Sequence, residues 1–123
     1  MSRYFTKDHE WIEVEGEEGT VGITDYAQGQ LGDITYVELP AQGQDVKQGD
    51  SVSVVDSVKA ASDIYTPASG TVCAVNGELE GAPELVTSDA DGAGWLFRLK
   101  LADPAELAAL MDEAAYDAYV AGL

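Results

Sequence analysis

Turn formers divide this chain into pieces too short for anything but a small β architecture. Gly16, Gly19, Gly32, Pro40, Gln42-Gly43-Gln44, Gln48-Gly49-Asp50 and Pro67-Ala68-Ser69-Gly70 interrupt it. Glycine opens left-handed backbone and proline withdraws a donor from any strand ladder, so each break ends an element. Between them, His9 to Glu15 and Thr20 to Ile23 read as short strands, with Ile12 and Val14 on one face and Glu10 pointing to that same side. Thr24 is placed to cap a short helix that runs through Tyr26, Ala27 and Leu31 and stops at Gly32. Asp33 to Leu39 returns as a strand ended by Pro40.

Asp45-Val46-Lys47 is a brief segment between two turns, after which Ser51 to Val55 and Ser62 to Thr66 read as paired strands with Lys59 at their bend. The bend lacks the Asn-Gly or Asp-Gly of the tightest hairpins, so a type I turn is expected there rather than type I′. A strand from Thr71 to Asn76 follows, then a loop rich in glycine and acids. In the next strand Trp95, Phe97, Leu99 and Leu101 alternate with outward Arg98 and Lys100. Short strands with frequent turns predict an antiparallel β fold. The C-terminal part differs: Asp103-Pro104-Ala105-Glu106 combines an N-cap, a first-turn proline and a third-position glutamate in the manner of a capping box. Leu107, Leu110 and Met111 then repeat at helical spacing, continuing through Tyr116, Tyr119 and Val120, a helical segment of about 103–121. At 123 residues, 1–123 is one domain's worth of chain.

Lys59 is the only lysine or arginine between Lys47 and Arg98. Most exposed lysines in turns only keep a surface wet. This one is a lone primary amine set between Val58 and Ala60, with Ser57 beside it, which suits modification by an enzyme that reaches it from outside without competing amines nearby. The 23 Asp and Glu against 6 Lys and Arg give a formal charge of -17, which repels phosphate backbones and anionic headgroups. Nucleic acid is not an expected partner; proteins with basic patches are.

A single Cys73 excludes an internal disulfide, and with His9 the only histidine there is no set for zinc or haem. Asp89-Ala90-Asp91-Gly92 begins like a calcium loop but lacks the downstream glutamate, and reads as an acidic turn. Cys73 is expected to be a small buried hydrophobe, Trp11 and Trp95 core or rim residues, and His9 a local hydrogen-bonding group. No apolar run approaches the length of about 20 residues needed to span a membrane. Met1-Ser2-Arg3-Tyr4-Phe5-Thr6 resembles neither a signal peptide nor a transit sequence, so a cytoplasmic location is expected.

Two turn-then-strand units flank Lys59: Gln48-Gly49-Asp50-Ser51-Val52 before it and Ile64 to Val72 after it. That arrangement resembles the lipoyl and biotinyl carrier fold, and implies a mostly β barrel-sandwich hybrid of two antiparallel sheets with a short internal helix and C-terminal helices. With Lys7-Asp8-His9-Glu10-Trp11, Gly22-Ile23-Thr24-Asp25-Tyr26-Ala27, Val37-Glu38-Leu39-Pro40, Ser57-Val58-Lys59-Ala60 and Gly94-Trp95, the chain is similar from end to end to the glycine cleavage system H proteins. The resemblance implies a carrier, not an enzyme, with lipoate joined by an amide to Lys59 on a hairpin formed with Ser57, Val58 and Ala60. It implies visits to a pyridoxal-phosphate glycine decarboxylase, a folate-dependent aminomethyltransferase and a dihydrolipoamide dehydrogenase, and prior loading by a lipoate ligase or lipoyltransferase. A monomer suits such traffic.

In that family the loaded arm swings back into a cleft that shields its aminomethyl group, and Glu10 and Asp63 occupy the matching positions. Asp56 stands where the family usually has glutamate, and Thr87 and Ala90 replace an asparagine and a proline before the Gly-Trp segment. Other readings stay open: a Schiff-base lysine enzyme, which wants a desolvated lysine in a pocket; a biotin carrier, where methionines typically stand in place of Val58 and Ala60; a lipoyl domain of a 2-oxo acid dehydrogenase; or a lipoate donor to other carriers.

Overall fold

The structure is a computed structural model that describes residues 2–90 and 92–123. Met1, and Asp91 of the acidic turn, lie outside the described residues. The strands are β1 (Ser2–Phe5), β2 (Glu10–Glu15), β3 (Glu18–Ile23), β4 (Ile34–Glu38), β5 (Asp45–Val46), β6 (Ser51–Ser57), β7 (Ala61–Tyr65), β8 (Gly70–Val75) and β9 (Phe97–Leu101). Among the described residues they form a six-stranded sheet, β1-β2-β3-β9-β8-β5, and a three-stranded sheet, β4-β6-β7. Every pairing is antiparallel. Helices are α1 (Asp25–Leu31), α2 (Glu78–Gly81), α3 (Leu85–Ser88) and α4 (Glu113–Ala121), with a 3-10 turn at Pro104–Ala109.

Alternation decides which side chains meet between the sheets, since successive strand residues face opposite ways. Ile12, Val21 and Ile23 from the larger sheet and Val37, Val55 and Ile64 from the smaller one are buried in one cluster with Val72, Phe97 and Leu99. Each such side chain contributes ~1.5–3 kcal/mol when fully buried. Beside this core a second cluster joins Phe5, Trp11 and Tyr116, so α4 packs on the outer part of the larger sheet. Trp11 donates its indole N–H to the carbonyls of Ile23 (2.8 Å) and Ala90 (3.0 Å).

Helix α1 follows its local signals. Thr24 Oγ1 accepts from Ala27 N, and Gly32, at φ 80, closes the other end by donating its N–H to Gln28 O. Elsewhere tertiary contacts override local pattern. The segment 2–5 becomes a strand because β2 and residue 111 offer it partners on both sides. The acid-rich loop winds into α2 and α3, whose Leu79 and Val86 are buried.

The expected C-terminal helix is broken in two. Met111 is extended and exchanges backbone hydrogen bonds with Phe5 (2.7 and 2.9 Å), and Asp112 then caps α4 by accepting from Ala115 N at 2.8 Å. Glu106 does not close a capping box, because its carboxylate accepts from Ser69 N (2.9 Å) and Ser69 Oγ (2.8 Å). Cys73 is exposed rather than buried, since β8 turns Val72 inward and the next residue must face out.

Candidate functional site

The β6–β7 hairpin carries Lys59 at its apex. Asp56 opposite Ala61 is the last ladder pair, and Ser57 N donates to Ala60 O at 2.8 Å. Ser57 organises the loop with its hydroxyl, which accepts from Lys59 N and Ala60 N, each at 3.2 Å, and lies 3.0 Å from Ala60 O. Val58 N reaches across to Asp33 O at 3.1 Å, tying the apex to the start of β4. Among the described residues His9 alone combines a side chain with positive φ, so the loop has no type I′ backbone. Val58 is 67% exposed and Lys59 is exposed. The Lys59 ammonium makes no hydrogen bond or ion pair to any described residue. A Schiff-base lysine sunk in a pocket is not what this geometry provides.

Beside the hairpin, between α1 and β7, lies a cleft of about 310 Å³ whose lining includes His9, Tyr26, Ala27, Leu31, Ser62 and Asp63. Larger hollows, of about 620 Å³ near α4 and about 610 Å³ near β5, are lined by other residues. The larger volumes do not outweigh position, because only the smaller cleft adjoins the hairpin strand β7. Asp63 is exposed on β7 and contributes to the cleft.

Glu10 lies deeper and is not among the cleft's lining residues. Only 2% exposed, it accepts from Tyr65 N and from Thr6 Oγ1, both at 2.8 Å, so its carboxylate ties β2 to β7 two residues beyond Asp63. Burial pushes its pKa up to about 7, against the pull of the two hydrogen bonds, and Asp8 adds to the rise.

His9 differs from expectation: its partner is remote in sequence. His9 Nδ1 lies 2.8 Å from Tyr116 Oη, on α4. Burial lowers the His9 pKa, with Asp8 opposing. Sequence reasoning missed Tyr26 and Gly32 as neighbours of the hairpin, and Tyr116 as the partner of His9. The capping signal at Thr24 and Gly32 placed α1 correctly and was the one available clue.

A sandwich of two antiparallel sheets that offers an exposed lysine from a hairpin apex defines a swinging-arm carrier, in which the protein presents a covalently attached group to the active sites of others. Residues 3–122 match the family Glycine cleavage H-protein. The chain is 57% identical to the glycine cleavage system H protein of Paramagnetospirillum magneticum, covering 97% of this chain and 95% of that one. It is 58% identical to that of Caulobacter vibrioides, over 97% and 98% of the two chains. Among solved structures, the glycine cleavage system H protein from Mycobacterium marinum superposes with a TM-score of 0.88 at 36% identity, covering 99% of this chain and 98% of that one. The chain belongs to the glycine cleavage H-protein family, the lipoyl carriers of the glycine cleavage system. It is therefore a carrier subunit rather than a catalyst, and its cofactor is a lipoyl group attached covalently to lysine. Among the described residues no helix is long and apolar enough to cross a membrane.

Proposed function

We propose that Lys59 is the lysine that bears the lipoyl group, and that the cleft between α1 and β7 receives the loaded arm. The observation that carries this reading is the exposed, unpartnered amine of Lys59 at the apex of an ordered hairpin. The residues fit the group. A primary amine on a four-carbon stem forms the amide, and its positive charge disappears on acylation, so stem and arm become one apolar tether. Ser57 holds the loop open-ended toward a ligase or lipoyltransferase, which must take the ammonium proton before the amine attacks an activated acyl carbon. Val58 and Ala60 put no competing nucleophile beside it.

When bound, the lipoyl group would supply a dithiolane able to take the aminomethyl group of glycine as carbon dioxide leaves, to give its carbon to tetrahydrofolate with release of ammonia, and to be reoxidised from the dithiol by the dehydrogenase. The partners we assign are accordingly a pyridoxal-phosphate glycine decarboxylase, a folate-dependent aminomethyltransferase and a dihydrolipoamide dehydrogenase. A formal charge of -17 favours fast, salt-sensitive encounters with basic surfaces on each. We place the carrier in the cytoplasm as a monomer, the state that leaves one hairpin free for each visit. Asp63, at the mouth of the cleft, is positioned for a methylammonium group, and Glu10 supports β7 behind it.

The test is the intact mass of the protein after incubation with lipoate, ATP and lipoate ligase, followed by peptide mapping. One lipoyl group on Lys59, absent from Lys59→Arg, is the expected result. An unmodified protein beside a fully modified control carrier would overturn the assignment.

A further inference from the structure

His9 sits in left-handed backbone at φ 66, the one described non-glycine residue to do so. A side chain there is held against steric strain, and such outliers concentrate at sites where placement of one group matters. The backbone is pinned on both sides: His9 N donates to Thr6 O at 3.1 Å, and Thr24 N donates to His9 O at 2.9 Å. The ring is pinned as well. Nδ1 lies 2.8 Å from Tyr116 Oη, which lies 2.8 Å from Thr24 Oγ1, and that oxygen in turn caps α1 by accepting from Ala27 N at 3.2 Å. Tyr26 and Tyr119 stand against the imidazole with centroids at 4.5 and 5.9 Å.

The network joins places that have different duties. His9, Tyr26 and Ala27 line the cleft beside the Lys59 hairpin, whereas Tyr116 belongs to α4 and is not among its lining residues. Helix α4 is itself anchored, since the Tyr116 ring stacks on Phe5 at 4.5 Å and 11° and Phe5 pairs with Met111. One hydroxyl therefore links the C-terminal helix to His9 in the cleft wall and to the cap of α1, which supplies Tyr26 and Ala27 to the same lining.

We propose that Tyr116 is a positioning residue for the arm cleft: it fixes His9 as the surface against which the loaded arm rests, so that α4 governs how long the aminomethyl group survives on the free carrier. This rests on the reading of the cleft given above. A neutral imidazole hydrogen-bonds a polar arm without repelling its methylammonium end, and burial favours the neutral form of His9. Loss of the group is hydrolysis. The carbon–sulfur bond breaks, sulfur keeps the electron pair and takes a proton, and water converts the departing aminomethyl carbon to formaldehyde while nitrogen leaves as ammonium. A wall that holds the arm excludes that water.

The experiment follows two readouts in full-length protein: the ring nitrogen NMR signals of His9 in unlipoylated carrier, and formaldehyde release from the loaded, isolated carrier. Tyr116→Phe keeps the ring and deletes the hydroxyl. It is expected to shift the His9 ring nitrogen signals, because Nδ1 loses its 2.8 Å partner, and to shorten the arm's lifetime several-fold. Ala27→Phe, which fills the cleft, should shorten it as well, and Leu107→Ala, which loosens the core elsewhere, should leave it unchanged. If Ala27→Phe shortens the lifetime and Tyr116→Phe does not, the positioning role is overturned and the cleft stands. If neither changes it, the cleft reading falls and this proposal with it. An unmoved His9 signal in Tyr116→Phe, or an equal effect of Leu107→Ala, also overturns the proposal.

Discussion

A Cβ on Gly32 would stand 3.5 Å from Cε of Lys59 and 3.8 Å from its Nζ, so the lysine stem lies back along the carboxyl end of α1. That end has no basic residue of its own. Gly32 adopts φ 80 and ψ -151, a region open to glycine and strained for any residue with a side chain. Gly32→Ala is therefore expected to destabilise the protein by ~1–3 kcal/mol in urea unfolding. Faster amide exchange should be confined to the last turn of α1, where Gly32 N closes the helix on Gln28 O.

Glu10 should make the protein less stable as pH rises. Its unfolded carboxyl titrates near 4.5 and its folded one near about 7, so between these values the folded state holds a proton that the unfolded state has lost. Stability from this group is fully present below the unfolded value and is lost as pH rises through the folded one. The rise from 4.5 to about 7 corresponds to ~3 kcal/mol. Glu10→Gln keeps an acceptor for Tyr65 N and removes the titration. The difference in unfolding free energy between variant and wild type should grow in the variant's favour from pH ~4.5 to ~7 and then level off, as read from denaturant curves across that range.

The order of the attachment loop rests largely on the Ser57 hydroxyl, which meets three backbone groups of Lys59 and Ala60. Ser57→Ala should cost about 1 kcal/mol, the usual net worth of such bonding. The sharper effect is expected on recognition: amides of Lys59 and Ala60 exchange faster, and the KM of a lipoate ligase for the carrier rises several-fold with kcat little changed. An unchanged KM would mean that the ligase orders the loop itself.

What the sequence made legible was local. Thr24 and Gly32 bound α1 because a cap and a left-handed glycine act within a few residues, and Lys59 stood out because its neighbours carry no other amine. Features that depend on distant partners stayed hidden. Strand β1 exists because β2 and Met111 receive it, and Met111 breaks a helix that its own spacing with Leu107 favours. His9 and Tyr116 are 107 residues apart, and nothing in either's neighbourhood reports the other. For Cys73 the strand was right and the face was wrong, since strand alternation from the inward Val72 turns the next residue outward.

Glu106 offers a test of that same lesson, because its sequence context and its contacts assign it different work. In a capping box it would bond the backbone of Asp103, and its loss would fray only the turn at 104–109. In the structure both its oxygens meet Ser69, joining the C-terminal segment to the turn between β7 and β8. Glu106→Ala strands the Ser69 N–H in a half-buried site and should cost ~1–3 kcal/mol, with accelerated amide exchange at Ser69. Glu106→Gln can still accept from Ser69 N while its amide donates to Ser69 Oγ, so it should lose less than about 1 kcal/mol. If exchange at Ser69 is unaltered in Glu106→Ala while residues 104–109 fray, the local capping role is the correct one.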